Sequence, residues 1–292
     1  MSFNQTDALL LAKISKAMYR TDDTFGNFFS DGRFIQNEWT RCVAGFVEEI
    51  DKLVIAFRGS STLNEWISNC DSSPSFELAH SGFISTCDTI WVAFNDYIGR
   101  LVKQHRGKQI IFTGHSRGGA LAVLMAIYAE NADLPVDKIY TFGSPRVISE
   151  FTSVQRNLKH FRVENKQDPV SVLPWCYQYK HTGKLVLLSN SSCKAIVYNQ
   201  GRNPLKRAVD LVDHQIVKAH NIDSYIDILE GNCGAETSNS PPPESDDTFS
   251  FACIAKPSLN YVYAEEETVV KHGLAGGIFN LFGRNKVRVY DD

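Results

Sequence analysis

The sequence predicts an α/β sheet covered by helices on both faces, and three observations carry that prediction. β-rich apolar runs alternate with helical patterns from the N-terminus to about Leu229. One alternation is complete: Ile110-Ile111-Phe112-Thr113, a glycine-rich bend, and the alanine-rich stretch Gly118 to Glu130 form a strand-turn-helix unit. With 43% hydrophobic and 22% charged residues, the chain of 292 has the composition of a globular protein able to bury a large core, not of a disordered or fibrous one.

Taken in order, Thr6 to Arg20 carries Leu9, Leu10, Ile14 and Met18 at helical spacing with lysines on the other face, the pattern of an amphipathic helix. Cys42–Val47 and Leu53–Phe57 are β-rich runs separated by a polar stretch, which fits a hairpin. A long helical pattern runs from about Phe83 to Gln104, ahead of the strand-turn-helix unit. Further strands are expected at Ile139–Phe142, Phe161–Glu164, Leu185–Leu188 and Ala195–Tyr198, and a last helix over part of His214–Leu229. Residues 234–248 are polar and proline-bearing and cannot pack a core, so they read as a linker. The main domain is then 1–233. Residues 249–292 form a C-terminal appendage too short to fold unaided, either docked on the body or mobile.

Several function classes are excluded at this level. Thirty Lys+Arg against 33 Asp+Glu leave a net charge of −3, which gives no electrostatic footprint for nucleic acid. Apolar runs such as Ala120–Ala129 fall short of the roughly 20 residues a membrane-spanning helix needs. At the N-terminus Asp7 precedes a short apolar run, Ala8–Ala12, and Lys13, Lys16 and Arg20 follow it, the wrong charge order for a signal peptide. A cytoplasmic location is the default expectation. The seven cysteines are scattered, with no C-x-x-C pair, and are expected as core thiols.

The chemistry is concentrated in Gly114-His115-Ser116-Arg117-Gly118, which sits between a buried strand and a helix. A serine at so sharp a turn is forced into a strained backbone conformation that projects its hydroxyl, and side chains at the flanking positions would clash with the crossing elements, hence the glycines. A serine hydroxyl is a poor nucleophile unless a histidine takes its proton and a carboxylate orients that histidine. Asp168 follows the expected strand Phe161–Glu164, where strand ends deliver groups to one rim of a sheet.

Four segments together resemble the class 3 lipase family, the fungal-lipase-like α/β-hydrolases. They are Phe57-Arg58-Gly59-Ser60-Ser61 with Trp66 after it; His80-x-Gly82-Phe83; the turn at Ser116; and Thr141-Phe142-Gly143-x-Pro145-Arg146-Val147 leading to Asn165-x-x-Asp168-x-Val170-x-x-Leu173-Pro174. The resemblance implies an α/β-hydrolase fold with a mostly parallel sheet, Ser116 as nucleophile and Asp168 as the triad acid. It also implies an oxyanion hole built on Ser60 and on the backbone N–H of Arg117. Physics agrees: Ser60 opens a loop after a strand, and Arg117 begins a helix whose free N–H groups and dipole favour negative charge. Each such donor is worth roughly 3 to 4 kcal/mol of transition-state stabilisation. Arg117 departs from the leucine common there in the family, and its side chain reads as a surface or ion-pairing group.

Three histidines lie between Asp168 and the linker: His181, His214 and His220. His181 occupies a polar stretch and reads as a solvated turn residue. His220 opens the last helical pattern with Tyr225 five residues on, an arrangement the resembled family uses for its catalytic histidine, and it is the residue expected as base. His214, in an Asp-His pair, is the competitor. His80 and His115 are expected to be buried supports of the site.

Leu63, Trp66 and Ile67 fall at i, i+3 and i+4, which gives a helix there one apolar face. The resemblance makes it a lid, with core packing as the other reading and Ser68–Leu78 as a hinge. The apolar run Gly273–Gly283 is expected to dock on the main domain in preference to anchoring in a membrane. The expected activity is hydrolysis of carboxylic esters of lipids, triacylglycerol-lipase-like, without cofactor or metal. Its partner is a lipid or ester substrate at a membrane or lipid-droplet surface. A phospholipase A or soluble esterase on the same residues, and a pseudoenzyme serving as an interaction module, are the alternatives.

Overall fold

Strands buried on both faces read as continuous apolar runs, and two such runs form the middle of the sheet: β3 (Lys52–Phe57) and β4 (Ile110–His115), in which every residue from Leu53 to Phe57 and from Ile110 to His115 is buried. Alternation divides them between two helical layers. Leu53, Ile55, Phe57, Ile110 and Phe112 pack under α2 (Ser73–Gln104) and α3 (Arg117–Asn131). Val54, Ala56 and Ile111 pack under α1 (Gln5–Ala17) and α4 (Ile222–Gly231).

The computed structural model describes residues 2–20, 26–36, 41–60, 73–149, 159–173, 179–189, 194–198, 218–231 and 235–238. The other strands are β1 (Arg33–Gln36), β2 (Arg41–Val47), β5 (Val136–Phe142), β6 (Ile148–Ser149), β7 (His160–Asn165), β8 (Tyr179–Lys180), β9 (Lys184–Ser189), β10 (Lys194–Tyr198) and β11 (Ala235–Ser238). Among the described residues the main sheet has nine strands in the order β1-β2-β3-β4-β5-β7-β9-β10-β11. Its central five, β3, β4, β5, β7 and β9, are all parallel. β2 joins β3 by an antiparallel hairpin, and β10 runs antiparallel to β9. Because β3, β4, β5 and β7 are parallel neighbours, the loops at Ser60, Ser116, Gly143 and Asp168 all leave the same edge of the sheet, where open α/β sheets bind their ligands.

The elements depart from expectation in three places. α2 starts at Ser73, so Ser73–Leu78 is helical and not hinge; Pro74 is tolerated because the first N–H groups of a helix have no intrahelical partner. Ala235–Ser238, assigned above to the linker, pairs in parallel with β10 from Ala195 to Tyr198 as an edge strand, since a polar segment can close a sheet edge through backbone hydrogen bonds alone. β1, β6 and β8 are two to four residues long, too short for periodicity to reveal. The lid residues Leu63, Trp66 and Ile67 and residues 239–292, including the tail, lie outside the described residues.

Candidate active site

Three non-glycine residues among those described have positive φ, and two are turn aspartates, Asp51 and Asp133. The third is Ser116, at φ 57 and ψ −131, between β4 and α3. Such strain persists only where the surroundings over-determine it. Ser116 N–H donates to Phe142 O at 2.9 Å, and Gly119 N–H donates to Ser116 O at 2.9 Å. The flanking glycines are demanded by space: a Cβ on Gly114 would stand 2.3 Å from Gly118 O, and one on Gly118 2.3 Å from Phe57 O. The close approach of Gly118 to Phe57 and Arg58 brings the start of α3 against the end of β3, so the Arg117 and Ser60 segments adjoin. The Ser116 hydroxyl is buried and has no hydrogen-bond partner among the described residues.

Asp168 follows β7 and is fully buried. Its Oδ1 accepts Val170 N–H at 2.8 Å. Its Oδ2 lies 2.8 Å from His220 Nδ1 and also accepts the Tyr225 hydroxyl. A carboxylate only accepts, so the hydrogen of this contact belongs to Nδ1 and a lone pair is left on Nε2. Nε2 is itself buried, without a hydrogen-bond partner among the described residues. An imidazole held in this tautomer can receive a proton at Nε2, with the adjacent carboxylate stabilising the resulting cation.

The segment carrying His220 is fastened from two sides. Asn165 Nδ2 donates to Ala219 O at 3.1 Å, and His115 Nε2–H donates to His220 O at 2.7 Å. The His115 and His220 rings lie 4.6 Å apart. Burial, and then the neighbouring charge of His220, hold His115 well below the ordinary histidine range, so it is a neutral strut. Burial and the charge of Asp168 push Tyr225 well above the usual phenol range, which keeps its donor proton in place.

Sequence reasoning passed over Gly143 as a site residue. It has φ 56, and a Cβ there would meet Asp168 Oδ2 at 2.5 Å, the Tyr225 hydroxyl at 2.8 Å and His220 Nδ1 at 3.1 Å. The available signal was a glycine directly after the apolar run of β5, as Gly114 closes that of β4. Two other expectations change. His181 is not solvated: it is 12% exposed, its Nε2–H donates to Ser171 O at 2.6 Å, and burial followed by the nearby Arg162 charge depresses its protonation. The polar sequence around it concealed that the Ser171 turn folds over it. The Arg117 side chain, expected as a surface or ion-pairing group, donates to Thr86 Oγ1 at 3.1 Å and lies 5.9 Å from the Phe83 ring centre, against α2. His214 and the His80 side chain lie outside the described residues. Among the described residues no three His, Cys, Asp or Glu side chains group as metal ligands, and no helix is long and apolar enough to cross a membrane.

Residues 54–178 match the family model for lipase, class 3. Over that span the chain is similar to the class 3 lipase family. It is 30% identical over 142 residues to secreted mono- and diacylglycerol lipase 1 of Fusarium solani, covering 45% of this chain and 42% of that one. It is 28% identical over 269 residues to the chloroplastic phospholipase A1-Ialpha2 of Arabidopsis thaliana, covering 74% and 54%. The chain thus spans about half the length of these relatives. The triacylglyceride lipase of Rhizomucor miehei superposes with a TM-score of 0.54 at 20% identity, covering 65% of this chain and 83% of that structure. This likeness is one of fold, and the chain has the α/β-hydrolase fold.

Proposed function

We propose that the chain is a serine hydrolase that cleaves carboxylic esters of lipids. The observation that carries the reading is the buried 2.8 Å contact of His220 Nδ1 with Asp168 Oδ2, at the same sheet edge as a strained, buried Ser116. Ser116 Oγ attacks the ester carbonyl while His220 Nε2 takes its proton. The carbonyl oxygen, now an anion, is held by the backbone N–H groups of Ser60 and Arg117 at the ends of two adjoining segments. The tetrahedral adduct collapses as His220 returns the proton to the departing alcohol, leaving an acyl group on Ser116. Water, deprotonated by His220, then attacks that acyl-enzyme, and His220 returns the proton to Ser116 Oγ as the acyl bond breaks and the fatty acid leaves. The Asp168 carboxylate stabilises the imidazolium. These steps require neither metal nor cofactor.

The similarity to mono- and diacylglycerol lipase favours neutral acylglycerols as substrates. The similarity to phospholipase A1 over three quarters of the chain keeps phospholipids as a second reading. A panel crossing acyl-chain length with head group, run on wild type and Ser116→Ala, tests both. Hydrolysis of neutral glycerides is expected, with a loss on the order of 10⁶ in kcat in the variant. Preference for phospholipid selects the second reading. A folded Ser116→Ala protein retaining several per cent of activity would end the serine-hydrolase proposal, and no activity in either protein would favour the interaction module.

A further inference from the structure

Tyr19 lies just beyond α1, ahead of the segment that matches the class 3 family, yet its hydroxyl sits at the centre of the candidate site. Its position is fixed by the helix before it. Leu11, Ile14 and Met18 are buried against the sheet, and Ser15 Oγ meets Thr113 Oγ1 of β4 at 3.3 Å. From that anchored end the Tyr19 hydroxyl reaches His115 Nδ1 at 2.8 Å. Because His115 Nε2 carries the hydrogen that goes to His220 O, Nδ1 is the bare nitrogen, and the tyrosine is the donor. The same hydroxyl lies against the backbone of Gly59, the residue before Ser60. A Cβ on Gly59 would fall 2.0 Å from the Tyr19 hydroxyl and 2.7 Å from His115 O, so only glycine lets the three groups converge. Burial raises Tyr19 above the ordinary phenol range, which keeps the donor proton on the oxygen.

We propose that Tyr19 is a positioning residue of the active site, its hydroxyl linking the oxyanion loop at Gly59 to the peptide of His220 through His115. From the hydroxyl packed against Gly59 the hydrogen bonds run in one direction, from Tyr19 O–H to His115 Nδ1 and from His115 Nε2–H to His220 O. One hydroxyl therefore sets the spacing between the segments that carry the oxyanion donor, the nucleophile and the base. It also holds His115 in the tautomer that can donate to His220. Misplacing these segments by about an ångström is enough to slow chemistry about a hundredfold. The inference rests on the triad reading proposed above.

Tyr19→Phe keeps the ring, which packs edge-on to His115 at 5.8 Å, and removes only the hydroxyl. The expected result is a fall of about 10- to 100-fold in kcat on a dissolved short-chain ester, with KM within about twofold of wild type. The ¹⁵N imidazole resonances of His115 are expected to show loss of the hydrogen bond at Nδ1. His115→Phe should cause a similar fall, and the double variant should be no slower than the slower single one, because both act along one chain of contacts. A Tyr19→Phe enzyme with kcat within twofold of wild type, or one whose whole loss appears in KM or in thermal stability, overturns the proposal. His220→Ala, measured beside it, separates the two readings. Full activity there means that the triad reading has failed, whereas an inactive His220→Ala beside an unaffected Tyr19→Phe removes only the role of Tyr19.

Discussion

At the scale of single residues the site is governed by where a Cβ cannot go. Gly114 and Gly118 were legible in the sequence because a serine between glycines, after one apolar run and before another, has few structural explanations. Gly143 was not, because its neighbours Tyr225, His220 and Asp168 come together only in three dimensions. Its substitution separates space from chemistry. Gly143→Ala places a methyl 2.5 Å from Asp168 Oδ2 at a φ of 56, so it must displace either the carboxylate or the backbone. Strain of this kind costs about 1–3 kcal/mol. Both a lowered melting temperature and a kcat reduced by one to two orders of magnitude are expected. An unchanged melting curve with full activity would mean that the β5 loop has room the structure does not contain. His181 teaches the converse: a polar sequence context was read as solvent, but the Ser171 carbonyl and the Arg162 charge enclose it.

At the scale of elements, what could be read from the sequence was whatever is long and strongly patterned. α1, the β2–β3 hairpin, β4, α3, β7 and β9 lie within a few residues of expectation because each buries a continuous stripe or run of apolar side chains. Where packing does not dictate the residues, the signal disappears. β11 is a polar tetrapeptide held by parallel pairing to β10, and its sequence, Ala-Glu-Thr-Ser, is indistinguishable from linker. The first turns of α2 were obscured by Ser-Pro-Ser, which mark turns and helix starts alike. The parallel order of β3, β4, β5 and β7 matters most for function and is a property of pairing that the expected strands did not specify. It is what collects Ser60, Ser116, Gly143 and Asp168 on one edge.

At the scale of the whole molecule, two buried histidines and the partly buried His181 tie stability to pH. Burial holds His115, His160 and His181 below the ordinary histidine value of 6.5, with His160 at about 3. Above about pH 7 both folded and unfolded chains carry these imidazoles neutral, and they contribute no pH dependence. Below about pH 6.5 the unfolded chain takes up protons that the folded chain refuses, so stability falls with pH, by about 1.4 kcal/mol per pH unit for each histidine so held. For His160 the decline continues towards its folded value of about 3. Chemical denaturation between about pH 7 and about pH 4.5 should therefore show a steady loss of unfolding free energy. A flat profile would mean that these imidazoles protonate in the folded protein.

In the proposed mechanism one histidine, at the head of one helix, completes a site assembled by the sheet. The most direct measurement is the rate at which a fluorophosphonate labels Ser116 in His220→Ala and in His214→Ala, both shown to be folded. The true base must activate Ser116, so its loss costs on the order of 10⁴ to 10⁶ in rate, whereas losing a histidine that only flanks the helix costs about tenfold. No labelling of His220→Ala is expected on the timescale of wild type, and labelling of His214→Ala is expected at a rate within about tenfold of it. Labelling of His220→Ala with loss of labelling in His214→Ala would contradict the mechanism.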